Sequence, residues 1–434
     1  MKKIGLISLG CAKNLVDSEM ILAMFPHDRF AFTTVLSEAD FIIVNTCGFI
    51  ESAKRESIDT ILGLAKYKAK VAVVGCLAQR YKDELVSLIP EADLIVAIKD
   101  YGELHQYLKE LTGEEEILPM NPLRRVVSTS PFTAYLRISE GCNNFCSFCA
   151  IPFIRGRFVS RPFEEILTEA RQLKESGVKE ISLISQDTTI YGSDFEGGKP
   201  NICDLLRALE EVGFYSIRLL YLYPSEISDE LIHLIAESKT IAHYFDIPVQ
   251  CASDKLLKLM RRHCDQKETV ALFHKIKTIC PDAVLRTTLI AGFSGETIQD
   301  QRQTLKFLED IKFDHMGCFT YSPEEGTYGA TLPHRVRKLT KERRANELMA
   351  AQRKISYELN KKRVGEIMEG LVIDKGARKN EYRLRSYWNA PDDIDGSIFF
   401  TSQKPLKVGE VVKVKITGAF VYDLHGECVE EQNT

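Results

Sequence analysis

Three cysteines stand within one short stretch, Glu140-Gly141-Cys142-Asn143-Asn144-Phe145-Cys146-Ser147-Phe148-Cys149. Clustered thiolates are the ligands of iron–sulfur centres, which normally take four of them. A cubane held by Cys142, Cys146 and Cys149 alone keeps one iron open, and an open coordination position is where a metal site does chemistry. The competing readings are a zinc knuckle or a buried cysteine loop. A zinc site would need a fourth ligand nearby, and neither Cys nor His occurs between Ala150 and Asn201. Aromatic Phe148 directly precedes the last thiol.

A second trio is spread more widely. Cys11, Cys47 and Cys76 each close a short apolar run, 36 and 29 residues apart. Those intervals suit one strand–helix unit each, and residues just past the ends of parallel strands share one edge of a sheet, where ligands bind. A glycine adjoins each cysteine: Gly10, Gly48 and Gly75. The plainer alternative is three small core residues; the repeated position favours a second cluster with an open iron. Cys203, Cys251, Cys264, Cys280, Cys318 and Cys428 show no ligand spacing and read as small apolar residues.

Positioning two such trios requires at least two scaffolds. Over 1–115, apolar runs at 3–9, 41–45 and 70–75 alternate with helical spacing at 15–25 and 52–66, a strand–helix series that implies an open parallel α/β sheet. Residues 112–130, with an acidic run and two prolines, read as a linker. Over 128–358 six strand–helix units follow, with strands at 134–138, 180–185, 216–222, 243–249, 284–291 and 314–321. They imply a partial, TIM-like (β/α)6 barrel, whose site lies at the C-terminal ends of the strands. A long polar helix, about 341–362, leaves this unit. Residues 361–431 are β-rich, with Gly, Pro and Asp turns, and predict a small all-β barrel.

Other polar residues fall at the same strand ends. Gln186 and Asp187 follow the second strand and Gln250 the fourth. Arg286 and Thr288 share the inward parity of the fifth, and Gly292 could let backbone approach a bound cofactor. Each is as well explained as scaffold. The loop 151–157, with Arg155 and Arg157, could hold an anionic substrate or be a solvated surface loop.

Composition narrows the class. The chain has 434 residues, 57 basic against 61 acidic, and a net charge of −4. That balance argues against binding nucleic acid by bulk electrostatics alone. No apolar run approaches the roughly 18–20 residues of a membrane span. The opening residues lead into Cys11-Ala12-Lys13-Asn14 and fit a first strand better than a leader, so a cytoplasmic protein is expected. Twelve cysteines in that compartment suggest metal or redox use rather than disulfides.

The C-x3-C-x2-C loop before a barrel of this kind resembles the radical S-adenosylmethionine superfamily. The resemblance implies that the open iron chelates the amino and carboxylate groups of S-adenosylmethionine, and that an electron then cleaves it to a 5′-deoxyadenosyl radical. Leu9-Gly10-Cys11-Ala12-Lys13-Asn14, Asn45-Thr46-Cys47-Gly48-Phe49, Gly75-Cys76-Leu77, Ser160-Arg161-Pro162 and Gly295-Glu296-Thr297 extend it to the methylthiotransferases. That family joins an N-terminal cluster domain, a radical core and a C-terminal TRAM domain, and replaces C–H with C–SCH3. It implies two [4Fe-4S] clusters, an auxiliary one on Cys11, Cys47 and Cys76 carrying or supplying sulfur, and a reductant such as flavodoxin or ferredoxin.

Two branches differ in substrate. One modifies an isopentenyladenosine of tRNA; the other modifies the β-carbon of an aspartate in the twelfth protein of the small ribosomal subunit. Lys13-Asn14-Leu15-Val16-Asp17-Ser18-Glu19, Ile184-Ser185-Gln186-Asp187-Thr188 and Asn389-Ala390-Pro391-Asp392-Asp393-Ile394-Asp395-Gly396 resemble the second. The last segment, with nine basic against twelve acidic residues over 364–434, is expected to suit a basic ribosomal protein better than RNA. Two positions depart from the family: Cys251 stands where His is common, and Ser294 where Pro is common. A non-catalytic electron carrier would coordinate every iron with protein, which three ligands per cluster disfavour.

Overall fold

The computed structural model describes residues 1–429; Glu430 and Glu431, the last two residues of the expected third segment, lie outside them. Strands Lys2–Ser8, Phe30–Phe32, Phe41–Thr46, Lys70–Gly75 and Leu94–Ile95 form one parallel sheet, with the first strand between the second and third. Alternate residues of a strand face opposite sides, and both sides here are covered. Ile43, Ala72 and Val74 pack with Ile21 and Met24 on one side, while Ile42, Val44, Val71 and Val73 pack with Ile61 and Leu77 on the other. The apolar runs are therefore continuous, and every residue of Phe41–Thr46 is buried.

Six parallel strands build the middle of the chain: Thr133–Arg137, Glu180–Ile184, Ser216–Leu219, Tyr244–Asp246, Val284–Ala291 and His315–Thr320. They pair as two three-stranded ladders joined by a bridge between Ile217 and Ile241. The third and fourth strands are shorter than their apolar runs. Tyr221 takes a left-handed conformation (φ 63°), and its N–H turns to the Asp246 carboxylate at 3.0 Å, which takes the chain out of the ladder.

A closed five-stranded barrel ends the described chain: Ile367–Lys375, Glu381–Ser386, Ile398–Thr401, Val411–Ala419 and Leu424–Cys428. Its last strand, with His425 and Gly426 inside it, has no apolar run to announce it. The helix Lys338–Lys362 does not project away as its polarity suggested. Gln352 Nε2 donates to Phe313 O (2.6 Å), Ser356 Oγ to Asp314 O (2.9 Å) and Asn360 Nδ2 to Phe420 O (3.1 Å), stitching the two barrels together.

The β-barrel closes the floor of the strand–helix barrel. Fully buried Arg218 donates to Ser386 O (2.7 Å) and Tyr387 O (3.1 Å), and His315 Nε2 donates to Trp388 O (2.8 Å). Asp395, from the loop 389–396, accepts from Tyr244 Oη (2.7 Å) and from Arg286 Nε (3.2 Å). One apolar cluster consequently runs from Ala12 and Val16 through Tyr135, Ile184 and Leu220 to Met368, Val372 and Trp388.

Burial works against the charged form of Asp395, but His315 and Arg286 beside it outweigh that and hold its carboxyl below the ordinary 3.8. A depressed carboxyl stabilises the fold above its unfolded value and loses that contribution as the pH falls through the folded one. Asp395→Asn is expected to cost about 3–5 kcal/mol at neutral pH by leaving buried cations underpaired. The gap to the parent should begin to shrink below about pH 4, where the unfolded aspartate takes up its proton, and close as the pH falls through the lower folded value. Urea unfolding followed by the single tryptophan, Trp388, at neutral and acid pH measures both.

Candidate active site

All six cysteines of the two trios line one cavity of about 320 Å³ between the N-terminal sheet and the barrel mouth. Each of Cys11, Cys47 and Cys76 sits where a strand has just ended. Cys11 precedes the helix Ala12–Leu22, Cys47 follows Phe41–Thr46, and Cys76 opens the helix Cys76–Leu88. Gly10 needs its glycine twice over: φ is +94°, and a Cβ would lie 3.0 Å from the Cys47 sulfur. Asn14 ties the loops together, donating to Leu9 O (2.9 Å) and Thr46 O (3.0 Å). Ser57 Oγ accepts from the Cys47 N–H (3.1 Å) and donates to its carbonyl (2.9 Å), fixing the middle thiol.

Cys142, Cys146 and Cys149 leave the first barrel strand on a loop anchored from behind. Ser147 N donates to Met260 O (2.9 Å) and Ser147 Oγ to Leu259 O (2.8 Å). Burial pushes the Cys47 thiol up to about 11 and raises Cys76, Cys142 and Cys149 as well. Thiols so disfavoured as free thiolates are poor nucleophiles at neutral pH; a bound metal is what deprotonates them. Two guanidiniums are poised for the charge that results. Arg155 Nη2 lies 3.3 Å from Cys76 Sγ, and Arg262 Nη1 3.6 Å from Cys146 Sγ. The donor set therefore fits two iron–sulfur clusters with three protein ligands each.

Phe148, Gln186 and Gln250 line the same cavity. Gln186 donates to Glu140 Oε1 (2.5 Å), while its own Oε1 is buried without a partner, an acceptor available to a cofactor's ammonium group. Gln250 takes a left-handed conformation (φ 71°), held by bonds from its N–H to Thr288 O and to its carbonyl from Ile290 N.

Four expected residues do not line it. Asp187 lies behind Asn144, accepting from Asn144 Nδ2 (2.7 Å) and Thr189 Oγ1 (2.5 Å). Arg286 is deeper in the barrel, paired with Asp246 (2.8 Å) and Asp395, because the loop 389–396 fills the space beneath the mouth. The Thr288 hydroxyl faces Gly317, so its link to the cavity is the backbone bond to Gln250. The open side of Gly292 is taken by Lys341, whose Cγ would lie 2.2 Å from an added Cβ.

Arg155 had only a weak signal in the sequence, and Arg262 none. Arg155 belongs to the cationic loop 151–157, yet it is neither a substrate clamp nor a surface residue. It is buried, donates to Asp17 Oδ2 (2.7 Å) and Asn14 Oδ1 (2.6 Å), and so crosses from the loop after Cys149 into the first domain. Lys13 is also buried; its Nζ donates to Ser185 O (2.8 Å) and lies 3.6 Å over the Tyr221 ring.

Arg155→Met should leave Asp17 buried with Arg137 (2.5 Å) as its remaining guanidinium partner. Breaking a buried pair from one side costs about 3–5 kcal/mol. Arg155→Lys should recover part of this, because a lysine keeps the charge but lacks the planar fork that reaches two acceptors. Urea unfolding of the three proteins provides the comparison, with the order parent, lysine, methionine expected.

Three family models match the chain: an uncharacterized protein family, UPF0004, over residues 3–97, the Radical SAM superfamily over 136–308, and a TRAM domain over 364–429. The chain is 44% identical to the ribosomal protein uS12 methylthiotransferase RimO of Acetivibrio thermocellus, covering 100% of this chain and 99% of that protein. It is also 44% identical to the protein of that name from Clostridioides difficile, covering 99% and 100%. Among solved structures, the radical S-adenosylmethionine methyltransferase TsrM of Kitasatospora setae, with cobalamin and a [4Fe-4S] cluster bound, matches with a TM-score of 0.53 at 13% identity. That match covers 85% of this chain and 81% of TsrM, a likeness of fold. With relatives this similar over its full length, two cysteine trios on one cavity and a TRAM barrel closing the floor, the chain belongs to the radical S-adenosylmethionine methylthiotransferase family, in its ribosomal protein uS12 branch.

Proposed function

We propose that this enzyme replaces a hydrogen on the β-carbon of an aspartate in ribosomal protein uS12 with a methylthio group, in the cytoplasm where that substrate is made. The observation that carries the reading is the single cavity onto which all six cysteines open. Members of the family use two [4Fe-4S] clusters and S-adenosylmethionine. Cys142, Cys146 and Cys149 hold the cluster that binds S-adenosylmethionine, and Cys11, Cys47 and Cys76 the auxiliary one. When bound, the clusters and S-adenosylmethionine supply the radical and the sulfur.

The residues of this chain do the rest. A β-carbon hydrogen is too weakly acidic for any side-chain base, so it must be abstracted by a radical held against it and away from water. Phe49, Phe148 and Tyr221 give the cavity apolar walls, and Gln186 offers its free carbonyl oxygen to an amino group. Arg155 keeps the auxiliary trio facing the other across the domain seam. Among the described residues no helix is long and apolar enough to cross a membrane.

Reconstituted protein supplied with S-adenosylmethionine, a reductant and purified uS12 tests the reading. Release of 5′-deoxyadenosine and a methylthio mass gain on uS12 are expected. Cys142→Ala should abolish both, whereas Cys76→Ala should abolish the mass gain and leave 5′-deoxyadenosine release. No 5′-deoxyadenosine from the parent would remove the enzymatic reading, and a gain on tRNA alone would overturn the substrate.

A further inference from the structure

Cys146 and Cys149 face two cavities. Besides the interior one, they back onto an outer groove of about 450 Å³, which none of Cys11, Cys47 and Cys76 reaches. The cluster loop is thus a partition, with substrate space on one side and solvent on the other.

The groove has a distinctive surface. Phe153 and Tyr328 on its walls are 59% and 46% exposed, a large aromatic area for residues beside a buried trio. Cations stand over its rings: the Arg261 guanidinium is 4.1 Å from the Tyr328 centroid, and that of Arg157 is 4.3 Å from Phe145. Arg335 is pinned at the rim by a bond to Ala330 O (2.8 Å). All three arginines are exposed and lack acidic partners among the described residues, while one acid, Glu325, lines the groove. In a chain of net charge −4 this is a local asymmetry. Phe145 (φ 45°) and Arg261 (φ 56°) both hold left-handed backbone, a conformation that persists where the surroundings impose it.

We infer that this groove is the docking surface for an acidic one-electron carrier protein of the flavodoxin type, which reduces the cluster through the outer side of the loop. The inference rests on the assignment of Cys142, Cys146 and Cys149 to that cluster. The electron must arrive from outside while the interior cavity is filled and closed, and the outer groove offers the approach that leaves it so. One electron leaves the carrier's reduced flavin, oxidising it by one electron, and enters the cluster, which gains one negative charge; no bond forms or breaks. The aromatic walls suit the flat apolar edge of a flavin, and the arginine rim steers an acidic surface onto them.

The test uses the holoenzyme with S-adenosylmethionine, flavodoxin as the protein donor and photoreduced deazaflavin as the small neutral one. Cluster reduction is followed by stopped-flow absorbance at low and high salt. Arg261→Glu and Phe153→Ser should each slow reduction by flavodoxin about tenfold at low salt, on the scale of steering by a rim charge. The arginine variant should also flatten the salt dependence. Iron content and the deazaflavin rate should match the parent. Parent-like rates in both variants with flavodoxin and with a plant-type ferredoxin alike, or equal slowing with flavodoxin and deazaflavin, would overturn the docking surface. An effect on a plant-type ferredoxin but not on flavodoxin would overturn the flavin partner. Failure of deazaflavin to reduce the parent would remove the cluster assignment itself.

Discussion

A guanidinium carried into a dry seam must be neutralised there, and Arg155 is placed in such a seam. Its acceptors are Asp17 and Asn14 of the first helix and the thiol of Cys76, all on the far side of the domain boundary. Burial works against the charge on Asp17, but Arg155 and Arg137 outweigh it and hold the carboxyl below its ordinary value. Glu140, which precedes the cluster loop, joins through both arginines. Because Asp17 meets its two guanidiniums only when the two domains are seated, charge ties their relative position. Both cysteine trios inherit that fixed geometry.

The same principle operates at the other end of the barrel. Arg218 and Arg286 project into its interior, and the β-barrel supplies what they need, two backbone carbonyls for one and Asp395 for the other. Apolar residues from all three domains fill the remaining space. The reaction cavity therefore has a roof set by Arg155 and a floor set by Asp395. A radical, which abstracts hydrogen from whatever it meets, can then be confined to the space between them.

Which of these features a reader of the sequence could see follows from how local each is. The trio Cys11, Cys47 and Cys76 was visible because strand–helix units repeat, so residues past successive strand ends share an edge. The parity of Arg286 was also right: it points into the barrel. Parity gives the face of a strand, however, not the depth along it, and the loop 389–396 lies more than a hundred residues on. Gly292 was visible as a position needing close approach, but the approaching group is Lys341. Arg155 was hidden because its nearer carboxylate partner in space, Asp17, is 138 residues distant in sequence. The early end of the third strand depends on one carboxylate, that of Asp246, which apolar runs do not register.

The charge of the C-terminal module shows the same limit in a way that bears on substrate choice. Its excess of acids was expected to favour a basic protein over RNA, but net charge matters only where it faces outward. Asp395 is sealed against Arg286 and Tyr244, and Asp374 and Asp393 both sit on Arg383. Lys375, Arg378, Lys379, Lys404, Lys407, Lys413 and Lys415 are all exposed, so the described outer surface of the module is not acidic. Over the described residues, charge at this module thus does not separate a ribosomal protein from tRNA. The distinction between the branches rests on the full-length relationship, while Asp395 of the segment 389–396 shapes the barrel floor from inside.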